Sequence, residues 1–280
     1  MVGTSSSTPS AVSPEVVEQP DVLARYNVRV HGQGEQTLMF CNGLGCTQHI
    51  WQYLTPALAL RYRLVLFDYP GTGEAQAPYD AQKYGDLSAY AQDVVDICRV
   101  LALPRIVLVG HSVGASIAML AAVQAPTIVA SVVMLAPSPC YLNKPGYHGG
   151  FDEADVEQLL GVMEADYDGW ANMFANLLLG PTNPTLGEQL AQYFCQSDPS
   201  ITQQFARVAF LSDNRADVPH LQARTLILQC AQDVAAPEEV GHYLHQHLPQ
   251  ATLVQLRATG HCPHLSAPLE TLAAIENFLG

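Results

Sequence analysis

The sequence predicts an α/β domain with a mostly parallel sheet, helices on both faces and an inserted helical segment. Short apolar segments rich in Val, Ile and Leu recur along the chain, and segments with helical periodicity separate them. This alternation is typical of parallel sheets, whose crossover connections are usually helices. Of the 280 residues, 49% are hydrophobic and 14% are charged, so the chain can bury a core of the size that such a domain needs.

Six segments have the composition of short buried strands and are bounded by turn residues. They are residues 37–42, 64–68, 106–109, 131–135, 225–229 and 252–256. Helical patterns cover residues 88–101, 115–124 and 268–279. We therefore expect residues 21–137 and 218–280 to form the core of the domain.

Residues 138–217 contain no strand pattern and are helical in character. Asp152 suits a helix N-cap, and Gly180-Pro181 would end the helical run that follows it. Apolar side chains recur in that run at helical spacing: Val156, Leu159, Leu160, Met163, Tyr167, Trp170, Phe174, Leu177 and Leu178. We expect this segment to form a cap over the carboxyl edge of the sheet, where open α/β sheets bind their ligands.

Residues 1–20 are rich in Ser, Thr and Pro and are predicted to form a flexible leader. They lack the basic and apolar regions of a signal peptide, and no apolar run in the chain reaches the length that crosses a bilayer. The seven cysteines, an odd number without a C-x-x-C pair, are expected to be reduced thiols. These features together predict a soluble, cytoplasmic protein.

The chain is strongly acidic, with 12 basic and 26 acidic residues and a formal net charge of −14. Such a surface repels nucleic-acid phosphates and anionic lipids, so we expect neither nucleic acid nor a membrane as a partner. A neutral or weakly charged organic ligand fits this charge better.

Gly110-His111-Ser112-Val113-Gly114 joins the predicted strand 106–109 to the predicted helix 115–124. G-x-S-x-G between a strand and a helix is the pattern of a nucleophile elbow. Glycines are needed because the turn is so tight that side chains at those positions would collide with neighbouring backbone. We therefore expect the Ser112 hydroxyl to be a nucleophile, since this turn lifts it clear of the sheet.

A serine hydroxyl needs a general base, and the base needs an acid that orients it. Asp233 follows the predicted strand 225–229, and His261 follows the predicted strand 252–256, which puts both on the edge where Ser112 lies. Residues 136–138, the other common place for the acid, contain no carboxylate. His264 is the alternative base and is expected to support the loop instead.

An oxyanion that forms during attack by Ser112 needs two backbone N–H donors. Val113, the residue after the nucleophile, supplies one of them. The second is expected from the loop 42–45, which follows the strand 37–42, with Leu44 as the donor.

Two further patterns leave alternatives open. Trp170, Phe174 and Leu178 recur at i, i+4 and i+8 and could line a pocket or pack only within the cap. His242, His245 and His247 could suggest a metal site, but their spacing fits a solvated helix better. We expect neither a metal nor an organic cofactor.

Four motifs of the sequence are similar to those of one known protein family: Gly110–Gly114 (GHSVG), 138–143 (SPCYLN), 147–151 (YHGGF) and 260–264 (GHCPH). The chain resembles the family of RsbQ, a bacterial stress-signalling hydrolase, and of the plant strigolactone and karrikin receptor hydrolases. The segment 138–143 is more similar to the corresponding segment of RsbQ than to that of the plant receptors. The resemblance implies an α/β-hydrolase fold in which a V-shaped lid of four helices covers an apolar pocket.

The same resemblance implies roles for individual residues. It puts the catalytic triad on Ser112, Asp233 and His261 and the oxyanion donors on Leu44 and Val113. It also implies that the pocket wall includes Tyr141, Trp170 and Phe174. Two positions depart from the pattern: Leu44 stands where phenylalanine is usual, and Asn42 where the plant receptors have histidine.

The expected function is therefore that of a serine hydrolase that cleaves a small, mostly apolar ester or lactone through an acyl-enzyme. The alternative is a signalling receptor that binds a butenolide-like ligand, turns it over slowly and acts through a protein partner such as a phosphatase. A third possibility keeps the fold and changes the chemistry, as in C–C bond hydrolases or cofactor-free haloperoxidases.

Overall fold

Seven strands form one sheet in the computed structural model, which describes residues 19–180 and 184–280. In spatial order the strands are β1-β3-β2-β4-β5-β6-β7, and all neighbours are parallel except β1 and β3. The strands are β1 (Arg29–His31), β2 (Thr37–Cys41), β3 (Arg63–Leu66), β4 (Ile106–His111), β5 (Val129–Leu135), β6 (Arg224–Gln229) and β7 (Ala251–Gln255).

The predicted α/β class with a mostly parallel sheet is confirmed, and each of the six predicted strands matches an observed one to within two residues at either end. β1 was not predicted, because its three residues are exposed and only one of them, Val30, is apolar. It forms by pairing antiparallel with β3 at the edge of the sheet, with Val30 opposite Val65.

Helices follow most of the strands and pack on the sheet. In the core part of the chain they are α1 (Gln19–Arg25), α2 (Thr55–Leu58), α3 (Leu87–Val100), α4 (Val113–Gln124), α9 (Glu238–His247), α10 (Pro263–Ser266) and α11 (Pro268–Leu279). α4 packs on β2, β4 and β5, while α9 packs on β6 and β7. The predicted leader lies outside the described residues, except that its last two residues begin α1.

Four α-helices lie between β5 and β6 among the described residues, which leave out 181–183: α5 (Glu153–Ala165), α6 (Tyr167–Leu179), α7 (Pro184–Cys195) and α8 (Pro199–Leu211). We call them the helical insertion. α5 begins at Asp152, as expected. The helical run does not continue unbroken to Leu178, because Asp166 leaves the helical conformation and its carboxylate accepts a hydrogen bond from Gly169 N at 2.9 Å, which starts α6. Pro181, expected to end the run, is outside the described residues.

Aromatic contacts join the helical insertion to the core. Phe205 of α8 stacks on Tyr90 of α3, with ring centroids 4.5 Å apart, and lies 5.8 Å from Tyr69. The backbone N–H of Asp198, which caps α8, donates to the carbonyl of Gly71 at 2.9 Å. The insertion therefore rests on the loop after β3 and is part of one continuous hydrophobic core.

Candidate active site

Ser112 occupies a tight turn between β4 and α4 and has the unusual backbone angles φ 57° and ψ −128°. A non-glycine residue in this region is strained and persists only where the surrounding structure holds it. The two glycines of the motif are required by close packing. A Cβ at Gly110 would lie 2.4 Å from the carbonyl oxygen of Gly114, and one at Gly114 would lie 2.3 Å from that of Cys41.

Ser112, His261 and Asp233 form a continuous chain of hydrogen bonds. The distance from Ser112 Oγ to His261 Nε2 is 2.7 Å, and the distances from His261 Nδ1 to the two Asp233 carboxylate oxygens are 2.9 and 2.8 Å. Asp233 and His261 follow the ends of β6 and β7, so parallel strands bring them to the edge where Ser112 emerges from β4. The side chains of His261 and Asp233 are 2% and 0% exposed.

The Asp233 carboxylate is held in its charged form. Burial by itself would raise the pKa of Asp233, but the facing charge of His261, its ring N–H and the backbone N–H groups of Ala236 and Ala235 outweigh burial and lower the pKa below its ordinary value. Because Nδ1 faces a carboxylate, it carries the ring proton of His261. Nε2 is then free to accept the Ser112 hydroxyl proton.

The loop that carries His261 is bonded to the helical insertion. The backbone N–H of His261 donates to the carbonyl of Leu178 at 2.6 Å, in the last turn of α6. Gly260 has φ 82°, and a Cβ there would lie 2.7 Å from the same oxygen. Gly260 thus lets the loop approach the carboxyl end of α6, and the insertion helps to place the imidazole.

His264, the alternative base, lies behind the site instead of beside Ser112. Its ring packs between Trp51, with centroids 4.9 Å apart, and His111, at 4.4 Å. Among the described residues neither of its ring nitrogens has a hydrogen-bond partner. Burial and the neighbouring His111 and His261 lower the pKa of His264 well below its ordinary value, so the ring stays neutral.

The two expected oxyanion donors face the same space. Gly43, Leu44 and Val113 line the pocket together with Ser112. Within the described residues, the backbone N–H groups of Leu44 and Val113 make no hydrogen bond to a backbone acceptor. Both N–H groups are therefore unpaired in the described backbone network, and their part in holding an oxyanion stays a prediction.

An apolar pocket opens above Ser112, between the sheet edge and the helical insertion. Its wall includes Leu44, Tyr141, Phe174, Leu178, Leu190, Phe194 and Phe210. The cavity has a volume of about 440 Å³. The Tyr141 hydroxyl lies 3.1 Å from Ser112 Oγ, and burial raises the pKa of Tyr141, so its proton is retained.

Trp170 differs from the expectation that it lines the pocket. It is fully buried, and it is not among the described residues that form the pocket wall. Its indole stacks on Phe174, at 5.1 Å and 18°, and packs against Phe194 at 5.4 Å. Phe174 thus stands between Trp170 and the cavity, and Trp170 supports the wall from behind.

Phe194 and Phe210 line the cavity, although neither was predicted to be a pocket residue. They belong to α7 and α8, whose apolar stripes predict buried faces. Periodicity alone does not say whether such a stripe faces a cavity or another helix. Cys46 and Cys262 also line the pocket.

The whole arrangement is that of a hydrolase nucleophile under a helical cover, and comparison with known proteins agrees. The model of the alpha/beta hydrolase family matches residues 38–275, and the chain belongs to that family. It is 34% identical over 256 residues to strigolactone esterase D14 of Arabidopsis thaliana, a match that covers 91% of this chain and 96% of that protein.

Other relatives extend this picture. The karrikin insensitive 2 receptor CA of Petunia hybrida is 35% identical over 246 residues, covering 87% of this chain and 91% of the receptor. The solved structure of a hydrolase from Oleispira antarctica superposes with a TM-score of 0.90 at 34% identity, covering 94% of this chain and 97% of that one. The resemblance to the strigolactone and karrikin receptor hydrolases is therefore confirmed. The nearer likeness of residues 138–143 to RsbQ stays a prediction.

No helix in residues 19–180 and 184–280 is long and apolar enough to cross a membrane. The same residues contain no cluster of three or more His, Cys, Asp or Glu side chains that could hold a metal ion. His242 lies on α9, where its Nε2 faces Glu238 at 3.3 Å.

Replacing His264 with Phe is expected to leave kcat within about twofold and to make the protein less sensitive to acid. In the wild type, the unfolded state binds a proton on His264 below about pH 6.5 and the folded state does not, so stability is complete above that pH and is lost as the pH falls. His264→Phe removes this loss, so the variant should lose less stability than the wild type when the pH falls from 8 to 5. Urea unfolding at pH 8 and pH 5 measures the difference.

His245→Phe is the matched control, because His245 lies on an exposed part of α9. It should show no such gain at pH 5. A fall in kcat of orders of magnitude for His264→Phe would contradict the supporting role and restore His264 as a candidate base.

Gly260→Ala is expected to lower kcat about 100-fold, since the new methyl group would force the His261 loop away from Leu178 and misplacement of about 1 Å can cost that much. Gly146→Ala is the control, because Gly146 also has a positive φ, 73°, but no atom lies within 4 Å of its added Cβ. Steady-state ester hydrolysis by both variants measures the effect. Equal activities would show that backbone strain, and not contact with α6, accounts for any loss.

Proposed function

We propose that this protein is a serine hydrolase that cleaves small, mostly apolar esters or lactones through an acyl-enzyme on Ser112. The observation that carries the proposal is a pair of hydrogen bonds at the base of an apolar pocket. One joins Ser112 Oγ to His261 Nε2 at 2.7 Å, and the other joins His261 Nδ1 to the Asp233 carboxylate at 2.8 Å. Relatives named strigolactone esterase and karrikin receptor support the substrate class.

In the acylation step, His261 Nε2 takes the Ser112 hydroxyl proton as Oγ attacks the carbonyl carbon. The charge that develops on the carbonyl oxygen is accepted by the N–H groups of Leu44 and Val113. Such donors are each worth about 3–4 kcal/mol of transition-state stabilisation. The tetrahedral intermediate collapses when the leaving oxygen receives the proton from His261; in a lactone that oxygen stays attached to the acyl group as a hydroxyl.

Deacylation repeats the same chemistry with water. His261 takes a proton from a water molecule, whose oxygen adds to the acyl carbon, and the oxyanion is again held by Leu44 and Val113. Collapse of the intermediate returns the proton to Ser112 Oγ and releases a carboxylic acid. Asp233 keeps the imidazole oriented and stabilises its charged form in both steps.

The pocket and the surface charge define the substrate class. The aromatic side chains that line the pocket favour a small, flat, uncharged molecule such as a butenolide. The net charge of −14 disfavours anionic compounds. We propose that residues 138–217 act as a lid, because the helical insertion covers Ser112 and supplies Phe174, Leu178, Phe194 and Phe210 to the pocket wall.

A second candidate function is that of a ligand-binding receptor with slow turnover, acting through a protein partner such as a phosphatase. The observation that favours it is the hydrogen bond between His261 N–H and Leu178, which couples the catalytic loop to the lid. We also propose a cytoplasmic location. It is supported by the seven cysteines, which are all free thiols and all lie in the described part of the chain.

The test is intact-protein mass spectrometry after mixing the protein with p-nitrophenyl acetate, and separately with a synthetic butenolide ester. Wild type should acquire an acetyl group and release a burst of p-nitrophenol, whereas Ser112→Ala should do neither. Ser88→Ala, which removes an exposed hydroxyl at the start of α3, should behave as wild type. A folded wild-type protein that reacts with neither compound would overturn the hydrolase proposal.

The same experiment separates the two candidate functions. Rapid multiple turnover of the butenolide favours a metabolic hydrolase. A single burst, followed by a fragment that remains covalently bound to the protein, favours the receptor function.

A further inference from the structure

His111 precedes the proposed nucleophile and makes a specific hydrogen bond to the loop of the proposed base. Its Nε2 lies 2.9 Å from the backbone carbonyl oxygen of His261, and its side chain is buried. A carbonyl oxygen can only accept, so Nε2 must carry the proton and donate it. The ring of His111 is therefore the Nε2–H tautomer, and Nδ1 has a free lone pair.

This bond completes a set of contacts around His261. Its backbone N–H donates to the carbonyl of Leu178 at 2.6 Å, its ring N–H donates to Asp233, and its carbonyl accepts from His111. The backbone N–H, the ring Nδ1–H and the backbone carbonyl of His261 are thus all hydrogen-bonded, which restricts both its backbone and its ring. Because His111 and Ser112 are consecutive, the last contact links the base to the backbone of the nucleophile through a single residue.

We propose that His111 is a positioning residue, which rests on the proposed function: its ring N–H holds the His261 carbonyl and keeps base and nucleophile at hydrogen-bonding distance. Geometry supports this role over a direct part in proton transfer. His261, and not His111, bonds to Ser112 Oγ at 2.7 Å, and the proton on His111 Nε2 is committed to a carbonyl.

The surroundings of the ring keep it rigid and neutral. His264 packs on one side, with centroids 4.4 Å apart, and Gly43 of the oxyanion loop lies so close that a Cβ there would be 2.7 Å from His111 Nδ1. Burial and the nearby His261 lower the pKa of His111 to about 3. A neutral His111 does not oppose the positive charge that His261 acquires during catalysis.

Two substitutions test the proposal with p-nitrophenyl acetate as the probe. His111→Phe keeps a ring of similar shape but has no donor, and we expect kcat to fall about 10- to 100-fold while KM changes less than about twofold. His111→Gln places an amide N–H where Nε2 stood, so we expect it to recover most of the lost kcat. A role in packing alone would favour the Phe variant, so the order of the two variants separates hydrogen bonding from packing.

His264→Phe is the matched control, since it changes the same histidine cluster without touching a hydrogen bond. Wild-type kcat in His111→Phe, or equal losses in the Phe and Gln variants, would overturn the proposal. If wild type itself gives no Ser112 adduct, the hydrolase proposal fails and the His111 proposal fails with it. A wild type that reacts normally beside a normal His111→Phe variant contradicts only the positioning role.

Nuclear magnetic resonance of the wild-type protein supplies a second measurement that needs no variant to fold. Long-range nitrogen–proton spectra of the imidazole rings should show His111 as the neutral Nε2–H tautomer at pH 7 and down to pH 5. A His111 ring that carries its proton on Nδ1, or that is doubly protonated at pH 5, would overturn the proposal.

Discussion

The close contact of α4 with the end of β2 is the constraint on which the site depends. Gly114, in the first turn of α4, lies so near the carbonyl oxygens of Cys41 and Asn42 that a side chain there would come within 2.3 and 2.4 Å of them. This contact brings the amino end of a helix beside the loop that follows β2. Ser112 occupies a strained turn directly before this helix, and Val113 and Leu44 line the same pocket.

The helical insertion forms part of the pocket wall and also contacts the loop that carries His261. Phe174, Phe194 and Phe210 form much of the apolar surface over Ser112, with Trp170 stacked behind them. The carboxyl end of α6 also accepts a hydrogen bond from the backbone of His261. The same helix thus contributes to the pocket wall and contacts the loop of the proposed base.

Three histidines lie together at this edge, and their surroundings distinguish them. His261 faces the ionised carboxylate of Asp233, which can stabilise its charged form. His111 and His264 are buried without a facing carboxylate, and burial lowers the pKa of both, so they stay neutral. Of the three, His261 is the one that bonds to both Ser112 and Asp233.

The sequence by itself determined the parallel sheet, the elbow at Ser112 and the candidates Asp233 and His261, because strand periodicity and tight-turn glycines are local signals. Only the tertiary structure decided that His261 and not His264 meets Ser112, that Trp170 lies behind the pocket wall, and that Phe194 and Phe210 form part of it. It also revealed β1, which exists through pairing with β3. These outcomes depend on contacts between segments far apart in the chain, and the spacing of residues within one segment carries no record of which faces meet.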